Sequence, residues 1–242
     1  MNLLSRLAAI GAAVMIFMPA TKAVSPFDLD SFYLEVPYPW EPFVHPDSIH
    51  RLTEDDFRTV ADELGVEVAA IKAVVEIEAG KTHQGFSAPQ KPLVNFDLSM
   101  FRSLASRRGV SLGRYMSSHP DVFKSGRRTQ PEVFSRLESA MQIDTTLAVE
   151  ATFWGMFQIG GFNWQKCGVS SPEEFVRLMS RSERDQLELF AGFIVNTDLL
   201  KHLRNKNWAQ FARGYNGPAY ARRGYHTRLA AAYRRYKSEE QH

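Results

Sequence analysis

Residues 67–80, EVAAIKAVVEIEAG, are a mostly apolar stretch in which the second and third of three glutamates, Glu76 and Glu78, come just before a glycine. The apolar residues recur at helical spacing, and glycine is common just past the C-terminus of a helix. The stretch therefore predicts a helix over residues 67–79 that ends at Gly80. We expect this helix to be buried in a mainly helical domain.

The two glutamates fall on different sides of this predicted helix. At about 100° per residue, Glu78 lies within the apolar arc, whereas Glu76 lies on the polar side, four residues after Lys72. We therefore expect an exposed Glu76 supported by Lys72. Burial disfavours the charged form of Glu78 and raises its pKa, which suits an acid that donates a proton to a leaving sugar oxygen. The alternative is a structural Glu78 with a buried hydrogen bond or an ion pair to an arginine of the C-terminal helices.

The flanking sequence predicts a mainly α, single domain with a small strand-and-loop patch. Residues 53–56, TEDD, are a capping box followed by apolar residues at helical spacing, and Gly65 ends that helix. Residues 81–97 predict a loop or small hairpin, and residues 119–131 a surface loop. Further helices are expected at about 98–106, 131–142, 146–151, 172–179, 183–203, 207–215 and 218–236.

Residues 151–163, ATFWGMFQIGGFN, surround one uncharged polar side chain, Gln158, with aromatic residues and glycines. Such a stretch either packs in the core or forms the floor of a groove for a saccharide, whose rings combine apolar faces with amides and hydroxyls. We expect Gln158 and one neighbouring aromatic residue, Trp154, to line a groove. Phe157 and Ile159 are expected in the core.

Other polar residues give weaker signals. Residues 215–220, YNGPAY, predict a turn between two helices that presents the Tyr215 hydroxyl and the Asn216 amide. Glu150 is expected to be a helix-surface or orienting carboxylate. His45, His83 and His119 have no partner residue at the spacing of metal ligands, and Ser, His and Asp show no convincing triad pattern. The sequence therefore predicts no metal site and no Ser-His-Asp triad, and it implies no cofactor.

The N-terminus predicts export. Residues 1–23 combine a basic start, an apolar run over residues 7–18 and a small-residue cleavage site that ends at Ala23, as in a signal peptide. That run is shorter than the roughly 20 residues of a membrane span, and an uncleaved anchor is the alternative. We expect a periplasmic or secreted protein that contacts a membrane only through this peptide. Residues 24–50 form a leader rich in Pro and aromatics, and residues 51–242 form the domain.

The charge is balanced overall and uneven locally. The chain has 29 basic and 27 acidic residues, and loss of the signal peptide leaves 27 of each, which argues against nucleic-acid binding. Residues 199–236 hold nine basic residues and no acidic residue. Such a cluster is either an ordinary solvated face or a surface that attracts an anionic polymer. The single cysteine, Cys167, allows no internal disulfide and is expected to be buried.

Four segments in order resemble a known family. A glutamate at the end of a buried helix, Gly-x-x-Gln-Ile and Tyr-Asn-Gly together resemble the lysozyme-like superfamily of goose-type lysozymes and lytic transglycosylases. The segments AIKAVVEIEAG, FDLSMF, WGMFQIGGFN and WAQFARGYNGPAYARRGYHTRLAAAY look more specifically like the N-acetylmuramidase family of phage endolysins and bacterial cell-wall enzymes. The resemblance runs from about Leu52 to Tyr236.

This resemblance implies a lysozyme-like enzyme that cleaves the β-1,4 bond between N-acetylmuramic acid and N-acetylglucosamine. It implies Glu78 as the general acid, a sugar-binding groove that includes Gln158, and Tyr215 with Asn216 flanking the acid. We expect Tyr215 and Asn216, like Gln158 and Trp154, to bind the substrate. Relatives usually carry Phe-Glu where this chain has Phe96-Asp97. Asp97 is therefore either a second catalytic residue that holds the attacking water or the cap of a helix that starts near residue 99.

The resemblance also implies peptidoglycan glycan strands as the partner, and we expect a monomer. Two alternatives stay open for the function. One is a lytic transglycosylase, which uses the muramic 6-hydroxyl in place of water and leaves 1,6-anhydro-muramic ends. The other is a non-catalytic peptidoglycan-binding module. The sequence does not distinguish remodelling of the cell's own wall from a toxin role.

Overall fold

The structure is a computed structural model that describes residue 49 and residues 51–79, 84–126 and 128–240. The predicted signal peptide, the predicted leader apart from Ile49, and the predicted stop at Gly80 lie outside the described residues.

The first two helices form as the sequence predicts. Helix α1, Glu54–Leu64, begins with a reciprocal capping box between Thr53 and Asp56 and ends at Gly65, whose φ of 60° is left-handed. Helix α2 spans Val68–Ala79, and seven of its twelve residues are buried. A residue in the left-handed conformation can donate its own N–H to the last carbonyls of the helix. Glycine adopts this conformation without a steric clash, because it has no Cβ.

The other helices follow in chain order. They are α3 Leu98–Arg107, α4 Pro120–Phe123, α5 Gln130–Ile143, α6 Thr145–Glu150, α7 Pro172–Arg181, α8 Glu183–Asn196, α9 Leu200–Arg204, α10 Trp208–Asn216 and α11 Tyr225–Glu239. Short 3₁₀ helices span Leu112–Tyr115, Gly161–Cys167 and Pro218–Tyr220. The prediction of a mainly α fold is confirmed.

Three predicted boundaries were wrong. The predicted helix 183–203 is two helices, because Asp198 adopts a left-handed φ of 60° after α8 and ends it. The predicted helix 218–236 starts with a 3₁₀ turn, and Gly224 at φ 66° separates that turn from α11. The predicted surface loop 119–131 contains α4, whose Val122 has no exposed surface and anchors the loop in the core.

Five short strands form two small antiparallel sheets. Strands β1 Phe86–Ala88 and β2 Lys91–Pro92 make a hairpin. Strands β3 Val94–Phe96, β4 Thr152–Trp154 and β5 Ile159–Gly160 form a sheet in the order β3-β4-β5. The strand-and-loop patch predicted at 81–97 is confirmed for β1 to β3, whereas β4 and β5 were not predicted.

The last helix, α11, packs along α2 and contacts its polar side. Glu76 accepts hydrogen bonds from Arg235 and from the Tyr236 hydroxyl, and Lys72 contacts Glu54 instead. The predicted Lys72–Glu76 pair is therefore wrong, because both side chains have partners on other helices. The buried residues of the helices and of the three-stranded sheet form one hydrophobic cluster, which includes the free Cys167 as predicted. No helix in the described ranges has both the length and the hydrophobicity to cross a bilayer.

Candidate active site

A groove of about 470 Å³ opens where the end of α2 meets the three-stranded sheet. Its wall includes Glu78, strand β3 with the residue before it, and the β4–β5 turn. Around the start of α5, the wall includes Gly126, Arg128, Gln130, Val133 and Arg136. The helix that the sequence predicted to be buried therefore ends at the groove with its last glutamate.

Glu78 is a half-buried carboxyl on this groove. The Asn216 side-chain amide donates a hydrogen bond to Glu78 Oε1 at 3.1 Å. Burial raises the pKa of Glu78 to about 7, although the Asn216 hydrogen bond and the positive charge of Arg228 both act to lower it. Glu78 forms no ion pair with any described residue, so the ion-pair form of the structural alternative does not apply within these ranges, whereas the hydrogen bond from Asn216 fits its hydrogen-bond form.

The hydrogen bond from Asn216 also orients the acid. Because Oε1 accepts the amide N–H, the proton of the neutral carboxyl belongs on Oε2. Oε2 accepts no hydrogen bond within the described part of the chain. A carboxyl that keeps its proton near pH 7 and has a free O–H can act as a general acid.

Tyr215 lies beside Asn216 but serves a different purpose. Its hydroxyl donates to the Phe157 carbonyl at 2.7 Å, and its ring packs edge-on against Phe190. Burial raises the pKa of Tyr215 well above its usual range, so the hydroxyl stays protonated. Tyr215 joins the end of α10 to the β4–β5 turn and does not line the groove. Its hydroxyl therefore holds the β4–β5 turn in place, and a contact of Tyr215 or Asn216 with substrate stays a prediction.

Gln158 projects from the β4–β5 turn at the groove, as the sequence predicted. It is exposed and has a left-handed backbone with φ 47°, which is uncommon for a residue with a Cβ. Its Nε2 donates to the Gly155 carbonyl at 2.9 Å, and its Oε1 accepts nothing from the described residues. The side chain thus presents an amide oxygen to the groove.

Trp154 is a core residue. Only 1% of its surface is exposed, its indole N–H donates to the Val149 carbonyl at 3.1 Å, and its ring packs edge-on against Phe175. No face of the ring is available to a ligand, which corrects the prediction of a substrate contact. Phe157 and Ile159 are buried as predicted.

Two further carboxylates lie away from the groove wall. Asp97 caps α3, because its Oδ1 accepts the Met100 N–H at 2.9 Å. The capping interpretation is thus confirmed, and the role in holding water stays a prediction. Glu150 is buried and paired with Arg108, so the helix-surface interpretation was wrong. No cluster of three or more His, Cys, Asp or Glu side chains suited to a metal occurs among the residues that the structure describes.

Comparison with known proteins places this geometry in a family. The model of the N-acetylmuramidase family matches residues 67–237, which include Glu78 and Asn216. The chain belongs to the N-acetylmuramidase family. A crystal structure of the endolysin of Burkholderia phage AP3 has a TM-score of 0.68 and 30% sequence identity, and the alignment covers 98% of this chain and 94% of that chain. No match was found among curated proteins.

Membership in the N-acetylmuramidase family sets the chemistry at a coarse level. The protein is a glycoside hydrolase of the lysozyme type, and its substrate is peptidoglycan. The prediction of a lysozyme-like fold is confirmed by the endolysin structure.

Two buried polar residues that position the site were missed by the sequence analysis. Gln186 Oε1 accepts the Met156 N–H at 2.8 Å, and its Nε2 donates to Met179 O and Gly85 O. Glu183 accepts the Gly85 N–H at 3.0 Å. Both side chains are nearly inaccessible and tie the hairpins to the start of α8. Polar residues three apart at the start of an otherwise apolar helix were the available signal.

The segment before α5 was also missed as a part of the enzyme's groove. Gln130 pairs with both backbone groups of Val94, accepting from its N–H and donating to its carbonyl, each at 3.0 Å. Arg128 and Arg136 line the groove on the same side. Sequence alone offered only a basic, glycine-containing loop here, and its contact with β3 depends on the tertiary fold.

Proposed function

We propose that the enzyme cleaves the β-1,4 bond between N-acetylmuramic acid and N-acetylglucosamine and that Glu78 is the general acid. The observation that carries this proposal is a half-buried carboxyl on the groove whose pKa is raised to about 7. Glu78 Oε2–H donates its proton to the glycosidic oxygen as the bond from that oxygen to the muramic C1 breaks. The muramic ring becomes an oxocarbenium-like centre, and Glu78 becomes a carboxylate.

The Asn216 hydrogen bond supports this step. It persists when Glu78 ionises and is stronger to a carboxylate than to a neutral acid, so it stabilises the charge that develops on Glu78. In the same groove, the free amide oxygen of Gln158 is a natural acceptor for an N-acetyl N–H of the glycan.

The second half of the reaction has two routes. In hydrolysis, water attacks the muramic C1, and Asp97 or another carboxylate assists. In lytic transglycosylation, the muramic 6-hydroxyl attacks, and Glu78 takes up its proton, so one carboxyl suffices. Glu78 is the single carboxyl residue on the described groove wall, which keeps transglycosylation as a second candidate.

Product analysis tests both proposals. Purified sacculi are digested, reduced with borohydride and analysed by mass spectrometry. Hydrolysis gives reduced muramic ends. Finding 1,6-anhydro-muramic ends instead would show that the enzyme is a lytic transglycosylase. N-acetylglucosamine at the new reducing ends would contradict the proposed bond.

The same assay tests the acid. Glu78→Gln removes the donated proton with little change in shape, and we expect activity to fall at least about 10²-fold. Glu138→Gln is the matched control, since Glu138 is an exposed carboxylate on α5. Undiminished lysis by Glu78→Gln would refute the assignment, and a wild-type protein that binds sacculi without cutting them would favour the non-catalytic module.

We further propose that residues 1–23 direct export to the periplasm or medium, as their signal-peptide pattern predicts. N-terminal sequencing of the exported protein should show cleavage after Ala23. Retention of residue 1 on a membrane-bound protein would favour the uncleaved anchor.

A further inference from the structure

Among the described residues, the groove wall includes two arginines in addition to Glu78. Arg136 projects from α5, and Arg128 lies in the segment before it. Neither is needed for the proton transfer proposed above. Their positions raise the question of which group of a ligand they bind.

Arg136 is fixed in place by backbone carbonyls and has no carboxylate partner in the described part of the chain. It is 8% exposed, its Nε and Nη2 donate to the Val122 carbonyl at 3.0 and 2.7 Å, and Nη2 also donates to the Lys124 carbonyl at 2.9 Å. The guanidinium also lies over the Phe96 ring, 5.1 Å from its centroid. Since carbonyls orient the group but leave its charge uncancelled, Arg136 contributes a full positive charge to the groove.

Arg128 has spare donor capacity. Its Nη2 donates to the carbonyls of Lys124 at 2.9 Å and Asp121 at 3.3 Å, while its buried Nε has no partner among the described residues. The acids of the same segment hydrogen-bond to other groups, Asp121 to Lys124 and Glu132 to Thr129, and the charge of Arg128 helps to lower the pKa of both acids without forming an ion pair with either.

The two arginines also act on each other. Burial, followed by the positive charges of Arg128 and Arg102, lowers the pKa of Arg136. Like charges held near each other in a partly enclosed groove repel, and a bound anion relieves that repulsion.

We propose that Arg128 and Arg136 form a subsite for a carboxylate of the substrate, a proposal that rests on the peptidoglycan activity argued above. Muramic acid carries a lactyl carboxyl group, either free or linked by an amide to a stem peptide that has carboxylates of its own. N-acetylglucosamine carries none. The planar guanidinium is well matched to a carboxylate. The subsite therefore selects the muramic side of the substrate and disfavours an uncharged glycan.

Three soluble substrates separate the sources of the carboxylate. The first is peptide-bearing glycan strands. The second is the same strands after an amidase has removed the peptides and left free lactyl carboxylates. The third is those stripped strands after carbodiimide coupling to methylamine, which neutralises the carboxylates.

Arg128→Gln is the decisive variant. Removing a charged hydrogen-bond donor from a carboxylate should raise KM about tenfold on at least one of the carboxylate-bearing substrates. The KM ratio of variant to wild type should fall towards one on the methylamide strands. An effect on stripped strands identifies the lactyl carboxylate, and an effect on peptide-bearing strands alone identifies the stem peptide. Arg107→Gln, an exposed position on α3 outside the groove, is the matched control.

Two additional measurements keep the result unambiguous. Arg128→Lys keeps the charge without the planar fork and should give an intermediate KM, which decides the matter if Arg128→Gln unfolds. Calorimetric binding of stripped strands to Glu78→Gln, with and without Arg128→Gln, tests the subsite without catalysis. Equal KM and equal binding in the presence and absence of Arg128 would overturn the subsite, whereas wild-type protein that leaves sacculi uncut would instead overturn the proposed activity.

Discussion

At the scale of single residues, Glu78 places an ionisable carboxyl in a partly buried environment. The helix α2 places it beside buried aliphatic residues, and desolvation raises its pKa from 4.5 to about 7. A carboxyl on an exposed helix face would have lost its proton well below neutral pH. The property that suits Glu78 for proton donation is thus also a cost to the folded state when the group ionises.

That cost predicts a stabilising substitution. The folded protein binds the Glu78 proton more tightly than the unfolded chain, so stability falls as pH rises from about 4.5 through about 7. Glu78→Gln should unfold at higher urea concentration than the wild type at pH 8, by roughly 1–3 kcal/mol, and with little difference at pH 4. Urea titrations at both pH values measure it. A variant that is less stable than wild type at pH 8 would show that ionised Glu78 is well solvated.

Asn216 should control the alkaline limb of the pH profile. The enzyme needs protonated Glu78, so kcat should fall as pH rises above about 7. The Asn216 hydrogen bond lowers the Glu78 pKa, so Asn216→Ala should move this limb to higher pH and also lower the maximal rate. Asn205→Ala, an exposed asparagine after α9, is the control. If the alkaline limb stays at the same pH in Asn216→Ala, Asn216 does not influence the pKa of the acid that titrates.

At the scale of elements, local signals were sufficient for the first two helices and insufficient for strands β4 and β5. The capping box before α1 and the apolar arc of α2 are contained in a few consecutive residues, so both could be predicted. Strand β4 pairs with β3 across more than fifty residues of chain, with Val94 opposite Trp154. Its side chains alone suggested either a core segment or a groove floor. The pairing explains why Trp154 is buried and only the turn after β4 reaches the groove.

Gln186 should be essential to that turn. Its side chain satisfies the Met156 N–H and the carbonyls of Met179 and Gly85 in a site with no exposure to water. Gln186→Ala leaves these groups unpaired and should destabilise the fold by about 2–4 kcal/mol. Urea denaturation measures the loss, with Gln210→Ala on the exposed side of α10 as the control. A change below about 0.5 kcal/mol would mean that water replaces the amide.

At the scale of the whole molecule, the site depends on contacts that no local pattern contains. Glu78 was identified from its own helix, but Asn216 reaches it from 138 residues later in the chain, and Arg128 reaches the groove from a segment predicted as surface loop. The N- and C-terminal parts of the domain meet along α2 and α11. The ionic contacts across that interface therefore stabilise the site as well as the fold.

Glu67 makes the most connected of these contacts. It lies just before α2 and accepts from Lys206 before α10 and from Lys237 and Tyr233 on α11. Hydrogen bonds from Lys206 and then Lys237 lower the Glu67 pKa from 4.5 to about 2, so its stabilisation is present above pH 4.5 and is lost as pH falls towards 2. Glu67→Gln should thus lower the melting temperature at pH 7, with the difference from wild type shrinking steadily between pH 4.5 and pH 2. Glu138→Gln should show no such trend, and a constant difference for Glu67→Gln at every pH would assign its contribution to packing instead of charge.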